Sequence, residues 1–174
     1  MKFFLADIDI TKNIRTRLGL YSLFAIFLAL LQISLIPLME VFESIPNLLL
    51  IFSIWIVLRE GKLVGFTSAF VLGIIYDVFT LQVLGVSSFA FLVSALIASF
   101  FYRKDKEILV LAHYGFVFIV FVSAMSANLI QNIFYLRLSQ IDFWLSFVYK
   151  WLGNTVYTTF LSLIPLYISY RNRK

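Results

Sequence analysis

The sequence predicts an all-α integral membrane protein, a six-transmembrane-helix bundle, and three observations carry that prediction. The chain is 62% hydrophobic and 13% charged, against about 45–50% and about 25% in ordinary soluble domains. Long apolar runs, separated by short charged or polar stretches, cover nearly all of the 174 residues and describe a single membrane domain. Of the 14 Lys and Arg residues, all except Arg137 and Lys150 fall in segments that a six-span path places on one side of the bilayer. The positive-inside rule makes that side cytoplasmic, with both termini on it.

Composition also excludes chemistry. There is no cysteine and one histidine, so thiolate catalysis, disulfides and most imidazole chemistry are ruled out, and no cofactor or metal is expected. The net charge of +5 flanks the apolar runs. It reads as a topology signal and as contact with membrane lipids rather than with nucleic acid, for which no basic stretch is long enough.

Residues 1–17 mix Phe3, Phe4, Leu5 and Ile8 with Lys2, Lys12, Arg15 and Arg17, the pattern of an interfacial cytoplasmic segment or a solvated basic tail. The first apolar run, Leu18 to Met39, is 22 residues, longer than a signal-peptide core and without a cleavage site. It is a span, and Pro37 loosens its outer turn. After the acidic stretch Glu40 to Ile45, the run from Pro46 to Leu58 has only 13 residues. That is about 20 Å of helix, against a hydrocarbon core of about 30 Å. The charged turn Arg59 to Lys62 leads into a 19-residue run, Leu63 to Leu81. A re-entrant hairpin over 46–81 is the alternative to two spans, but it would bury the charged turn near the midplane. Runs 85–102, 108–136 and 143–169 complete the six. The fifth, at 29 residues, must tilt or protrude.

The third run carries the residues of greatest interest. Gly65, Ala69, Gly73 and Asp77 recur at steps of four, one small-residue face ending in a carboxyl group. Lipid offers helices no hydrophobic gain on associating, so small residues that permit close approach mark packing or partner faces. A carboxyl group within an apolar run needs protein, water or a partner, unless it caps the outer end of the span. Lys150 in the last run reaches a similar depth and is the candidate partner of Asp77, with snorkelling to the interface as its other fate. Asn128, Gln131 and Asn132 share one face of the fifth run and suit an interhelical hydrogen-bond site or a polar pocket. Thr155, Thr158 and Thr159 read as back-bonded to their own helix, and His113 as a hydrogen-bonded packing residue. No nucleophile–base pair, metal-ligand cluster or phosphate-binding glycine loop is legible, so the sequence does not read as an enzyme.

Pro46-Asn47 opening the second run, the turn with Arg59 and Gly61, then Gly65, Gly73 and Asp77, and Leu84-Gly85 opening the fourth run together resemble the MreD family of bacterial rod shape-determining membrane proteins. The resemblance extends over nearly the whole chain. One departure is Asn47, where the family often has Asp, which removes a charge at the outer mouth. The resemblance implies a non-enzymatic adaptor of the cell-wall elongation machinery in the bacterial inner membrane. It implies MreC as partner and, through MreC, a penicillin-binding transpeptidase, a RodA-type polymerase and MreB. It also implies a fold similar to the substrate-binding subunits of energy-coupling-factor transporters. On this reading Pro46, Asn47, Gly65, Ala69, Gly73, Asp77 and Gly85 form packing or partner surfaces, and the small-residue face of the third run receives a partner span. A homo-oligomer is compatible with such a face. The competing reading is a small-molecule-binding subunit of a transporter, which needs an outward cavity lined by Asp77, Asn128, Gln131 and Asn132.

Overall fold

A computed structural model describes residues 14–34, 44–102, 115–136 and 143–171. Among these residues the chain is helical: α1 (Ile14–Ser34), α2 (Leu48–Glu60), α3 (Lys62–Thr80), α4 (Val86–Ser99), α5 (Gly115–Leu136), α6 (Phe143–Leu161) and α7 (Leu163–Arg171). The N-terminal interfacial segment, Pro37, Glu40, Glu43 and His113 lie outside the described residues. The last predicted run is two helices rather than one. Pro165 cannot donate to the carbonyl of Leu161 and crowds it, and the helix resets at Ser162.

The short second run owes its character to position. Nine of the 13 residues of α2 are buried, and it packs against α1, α3, α4, α5 and α6. A helix surrounded by protein carries apolar residues on every side, which explains why α2 shows no polar face. Leu49, Leu50, Ile54, Ile56, Val57 and Leu58 form the centre of the core, joined by Ala69 and Leu72 from α3, Phe91 from α4 and Phe116 and Val120 from α5. Around α2, consecutive helices pack as neighbours from α2 through α6, and α1 closes against α2 and α3.

The outer helices keep one face inward and leave the other apolar and exposed. On α3, Gly65, Ala69, Leu72, Gly73 and Asp77 are buried, while Phe70, Val71, Val78 and Phe79 are exposed. On α1, Leu23, Phe27 and Leu30 are exposed likewise. Such extensive apolar surface is untenable in water and natural against lipid. Three helices, α1 over Arg17–Ser34, α3 over Lys62–Thr80 and α5 over Gly115–Phe134, are long and apolar enough to cross a bilayer. Among the described residues the molecule is helical, with the apolar helices of a membrane protein.

The junction of α2 and α3 is a single residue. Gly61 has φ 90° and ψ −175°, a region open essentially to glycine alone, and its N–H donates to the carbonyl of Val57 at 3.1 Å. The charged turn read from the sequence is therefore mostly helix. Arg59 and Glu60 end α2, and Lys62 begins α3.

Candidate functional site

The N-terminus of α4 presents backbone N–H groups with no partner in the preceding turn, as every helix start does. Usually a Ser, Thr, Asp or Asn at the cap supplies the acceptor. Here the cap is Gly85, which has no side chain to offer and sits at φ 96°. The acceptor comes from α3 instead. Asp77 Oδ2 accepts from the Gly85 N–H at 2.7 Å, and Ser87 N–H donates to Oδ1 and Oδ2 at 3.2 and 3.3 Å. Asp77 is fully buried, and the positive end of the α4 dipole favours a carboxyl group at that place.

Two features of α3 make this geometry available. Leu81, in the left-handed conformation at φ 54°, ends the helix, and the Gln82 N–H donates to the Asp77 carbonyl at 3.0 Å, turning the chain back at once. Gly73 then lets the first turn of α4 lie directly on α3. A Cβ at Gly73 would stand 2.3 Å from Ser88 Cα and 2.6 Å from Ser88 N. At the other end of α3, a Cβ at Gly65 would stand 2.7 Å from Val57 Cα on α2. The small-residue face of α3 is thus covered by α2 and α4 of the same chain, and this corrects the expectation that it receives a partner span. Close backbone approach was the right physics, but the helices that exploit it are internal.

The Asp77 site continues across the bundle. Ser87 Oγ accepts from Gln131 Nε2 at 2.9 Å, so α3, α4 and α5 meet in one buried hydrogen-bonded unit. Asn128 Nδ2 donates to Thr155 Oγ1 at 3.1 Å and ties α5 to α6. Asn132 is buried on the same face, and its Nδ2 meets no acceptor. The Asp77 carboxyl group is held by the backbone N–H groups of Gly85 and Ser87, and Lys150 is partly buried on α6. The expected ion pair with Lys150 is therefore not what secures Asp77, because a nearby helix start supplies it with two donors at no cost in side-chain entropy.

A second joint lies at the start of α2. Asn47 caps the helix, its Oδ1 accepting from the Leu50 N–H at 3.0 Å, and its own N–H donates to Thr158 Oγ1 on α6 at 3.1 Å. The departure from Asp therefore preserves the capping acceptor and leaves Asn47 Nδ2 without a partner. Gln32 on α1 clamps the same turn, donating to the Pro46 carbonyl at 2.7 Å and accepting from the Leu48 N–H at 2.9 Å. Asn154 Oδ1 accepts from the Ile45 N–H at 2.9 Å. Ser44 packs where a Cβ on Gly153 would stand, 2.0 Å from its Oγ.

Sequence reasoning singled out Asp77, Asn47, Asn128 and Gln131, took Ser87 only as a small packing residue of the fourth run, and missed Gln32 and Asn154. A signal existed for Gln32, a lone amide inside an apolar run, to which the argument used for Asp77 applies equally. Thr155 and Thr159 do bond back to their own helix, while Thr158 serves as acceptor for α2. Asp77, Asn128, Gln131 and Asn132 line neither the groove along α6 from Val148 to Phe160 nor the groove between α1 and α3. Chemically, the polar groups form joints between helices.

At the opposite end of the bundle, Glu60 gathers partners from α1 and α2. Tyr21 donates to it at 2.5 Å, Arg17 forms an ion pair with it, and Arg59 Nε lies 3.8 Å away. Arg59 also sits over the Trp55 ring at 4.8 Å, a cation–π contact.

A family model described as rod shape-determining protein MreD matches residues 13–171. None of the curated proteins and none of the solved structures compared with the chain matches it.

Proposed function

The chain belongs to the MreD family of rod shape-determining proteins, and from that premise we propose that it is a non-enzymatic membrane adaptor of the bacterial cell-wall elongation complex. It binds MreC and, through MreC, helps to organise a penicillin-binding transpeptidase, a RodA-type polymerase and MreB. It works from the inner membrane as six spans with both termini cytoplasmic, in an architecture akin to the substrate-binding subunits of energy-coupling-factor transporters. The observation that carries the reading is the family match over nearly the full length. The geometry supports it, because the buried polar groups bond helix to helix and the outward faces of α1 and α3 are apolar, suited to further helices or lipid.

A transporter-type subunit would need Asp77, Asn128, Gln131 and Asn132 around a cavity, and these residues are buried within helix contacts. Co-purification of the tagged chain from its own membranes tests the adaptor. The expected result is that MreC elutes with it and that depleting the chain rounds the cells. Elution without MreC, together with retained rod shape on depletion, would overturn it.

A further inference from the structure

Between α1 and α3 a groove of about 370 Å³ opens to the membrane. It runs from Leu18 to Ile26 along α1 and from Val64 to Ile75 along α3, over a floor that includes Phe52 and Ile56 of α2. The stretch from Val64 to Ile75 rises about 16 Å, close to half of a hydrocarbon core of about 30 Å. The groove therefore has the depth of one leaflet.

Besides Tyr21, its walls carry three aliphatic hydroxyl groups, and none is available to a polar ligand as a donor. Ser22 donates to the Leu18 carbonyl at 3.0 Å, Thr67 to the Val64 carbonyl at 3.0 Å and Ser68 to the Gly65 carbonyl at 2.8 Å. With those protons spent within their own helices, the wall is effectively hydrocarbon.

One end of the groove is charged. Tyr21, a wall residue, points its hydroxyl to Glu60, and Arg17 stands beside Leu18 at the mouth. Glu60 is the carboxylate shared by Arg17 and Arg59, and exposed Lys62 follows at the start of α3, so the mouth is net positive. The Arg17 Nε is buried and finds no acceptor among the described residues. A hydrocarbon slot one leaflet deep, ending at a net-positive mouth with a partly exposed Arg17 side chain, is complementary to a molecule with an apolar tail and an anionic head.

We propose that this groove is a binding site for an anionic phospholipid, one acyl chain lying between α1 and α3 and the headgroup phosphate meeting Arg17 and Lys62. The cytoplasmic placement of this end, taken from the reading above, decides only which leaflet supplies the lipid. The binding itself stands apart from the adaptor role.

Native mass spectrometry of the detergent-purified chain, titrated with phosphatidylglycerol or phosphatidylcholine of identical chains, tests the site. Each basic side chain near the headgroup contributes roughly fivefold, so phosphatidylglycerol is expected to bind about tenfold or more tightly. Ser22→Trp fills the groove from an exposed position and should abolish the difference. Arg17→Gln should reduce it about fivefold. Because Arg17→Gln also removes a partner of Glu60, Ser22→Trp is the deciding variant, with its thermal midpoint without added lipid as the check on folding. Equal binding of the two lipids would overturn the proposal, as would an undiminished preference in a folded Ser22→Trp protein.

Discussion

Replacing Gly73 by alanine adds one methyl group where the first turn of α4 lies directly on α3, and its effect follows from the distances there. In a helix interior the exchange alone stabilises by about 1 kcal/mol. The new Cβ, however, would lie 2.3 Å from Ser88 Cα, with Ser88 N at 2.6 Å and Ser87 C at 2.9 Å. These are backbone atoms, so no rotamer change relieves the clash. To reach an ordinary carbon contact of about 3.5 Å the first turn of α4 must move off α3 by about 1 Å. Asp77 lies one helical turn along, and its bonds to the Gly85 and Ser87 N–H groups, at 2.7 and 3.2 Å, would lengthen beyond useful range. Overpacking costs about 1–3 kcal/mol, and weakening the two bonds adds about 1–2 kcal/mol. Net destabilisation is therefore about 1–4 kcal/mol, opposite in sign to the propensity gain. The assay is the thermal midpoint in detergent, beside Gly19→Ala on α1, where an added Cβ meets nothing within 4 Å. Gly19→Ala should be neutral or stabilising and Gly73→Ala clearly destabilising. Equal midpoints for the two variants would refute the contact and the account of Asp77 built on it.

Asp77→Ala leaves the buried Ser87 N–H and the Gly85 N–H without their acceptor, at about 1–3 kcal/mol, whereas Asp77→Asn keeps one acceptor and loses less. Reversing both charges, Asp77→Lys with Lys150→Asp, should not restore the stability lost in Asp77→Lys, and rescue would revive the ion pair. Gly61→Ala places a side chain at φ 90° and should cost about 1–3 kcal/mol. Tyr102→Ala clears the 3.2 Å contact there and should not restore the midpoint, because the strain is in the backbone. Gln32→Leu removes both clamps on the α2 start and should lower stability by about 1–2 kcal/mol, at about 0.6 kcal/mol or somewhat more for each bond in a membrane. A midpoint unchanged from the parent would show that Pro46 and Leu48 do not depend on α1.

The sequence by itself determined the solvent of this protein, because a chain 62% hydrophobic and 13% charged has no stable arrangement in water. It also located the main apolar helices, through the length of each run between charges, and identified Gly65, Gly73 and Asp77 as unusual, through spacing and through the cost of a carboxyl group among apolar neighbours. What it left open was which helix meets which. Periodicity shows that one face of α3 is small. That the occupants are α2 at Gly65 and α4 at Gly73 follows from two tight turns, at Gly61 and at 81–85, that fold the neighbours straight back. The same holds for polar partners. Lys150 and the start of α4 were both at a depth to meet Asp77, and only the return of the chain at Leu81 brings the Gly85 and Ser87 N–H groups there first. The short second run had the same ambiguity, since 13 apolar residues suit a re-entrant turn or a shielded helix. Tertiary structure decided its surroundings by packing α2 against five other helices. Apolar character is a property of each residue and is written locally; the choice of neighbour depends on where turns place distant segments, and that exists only in the folded chain.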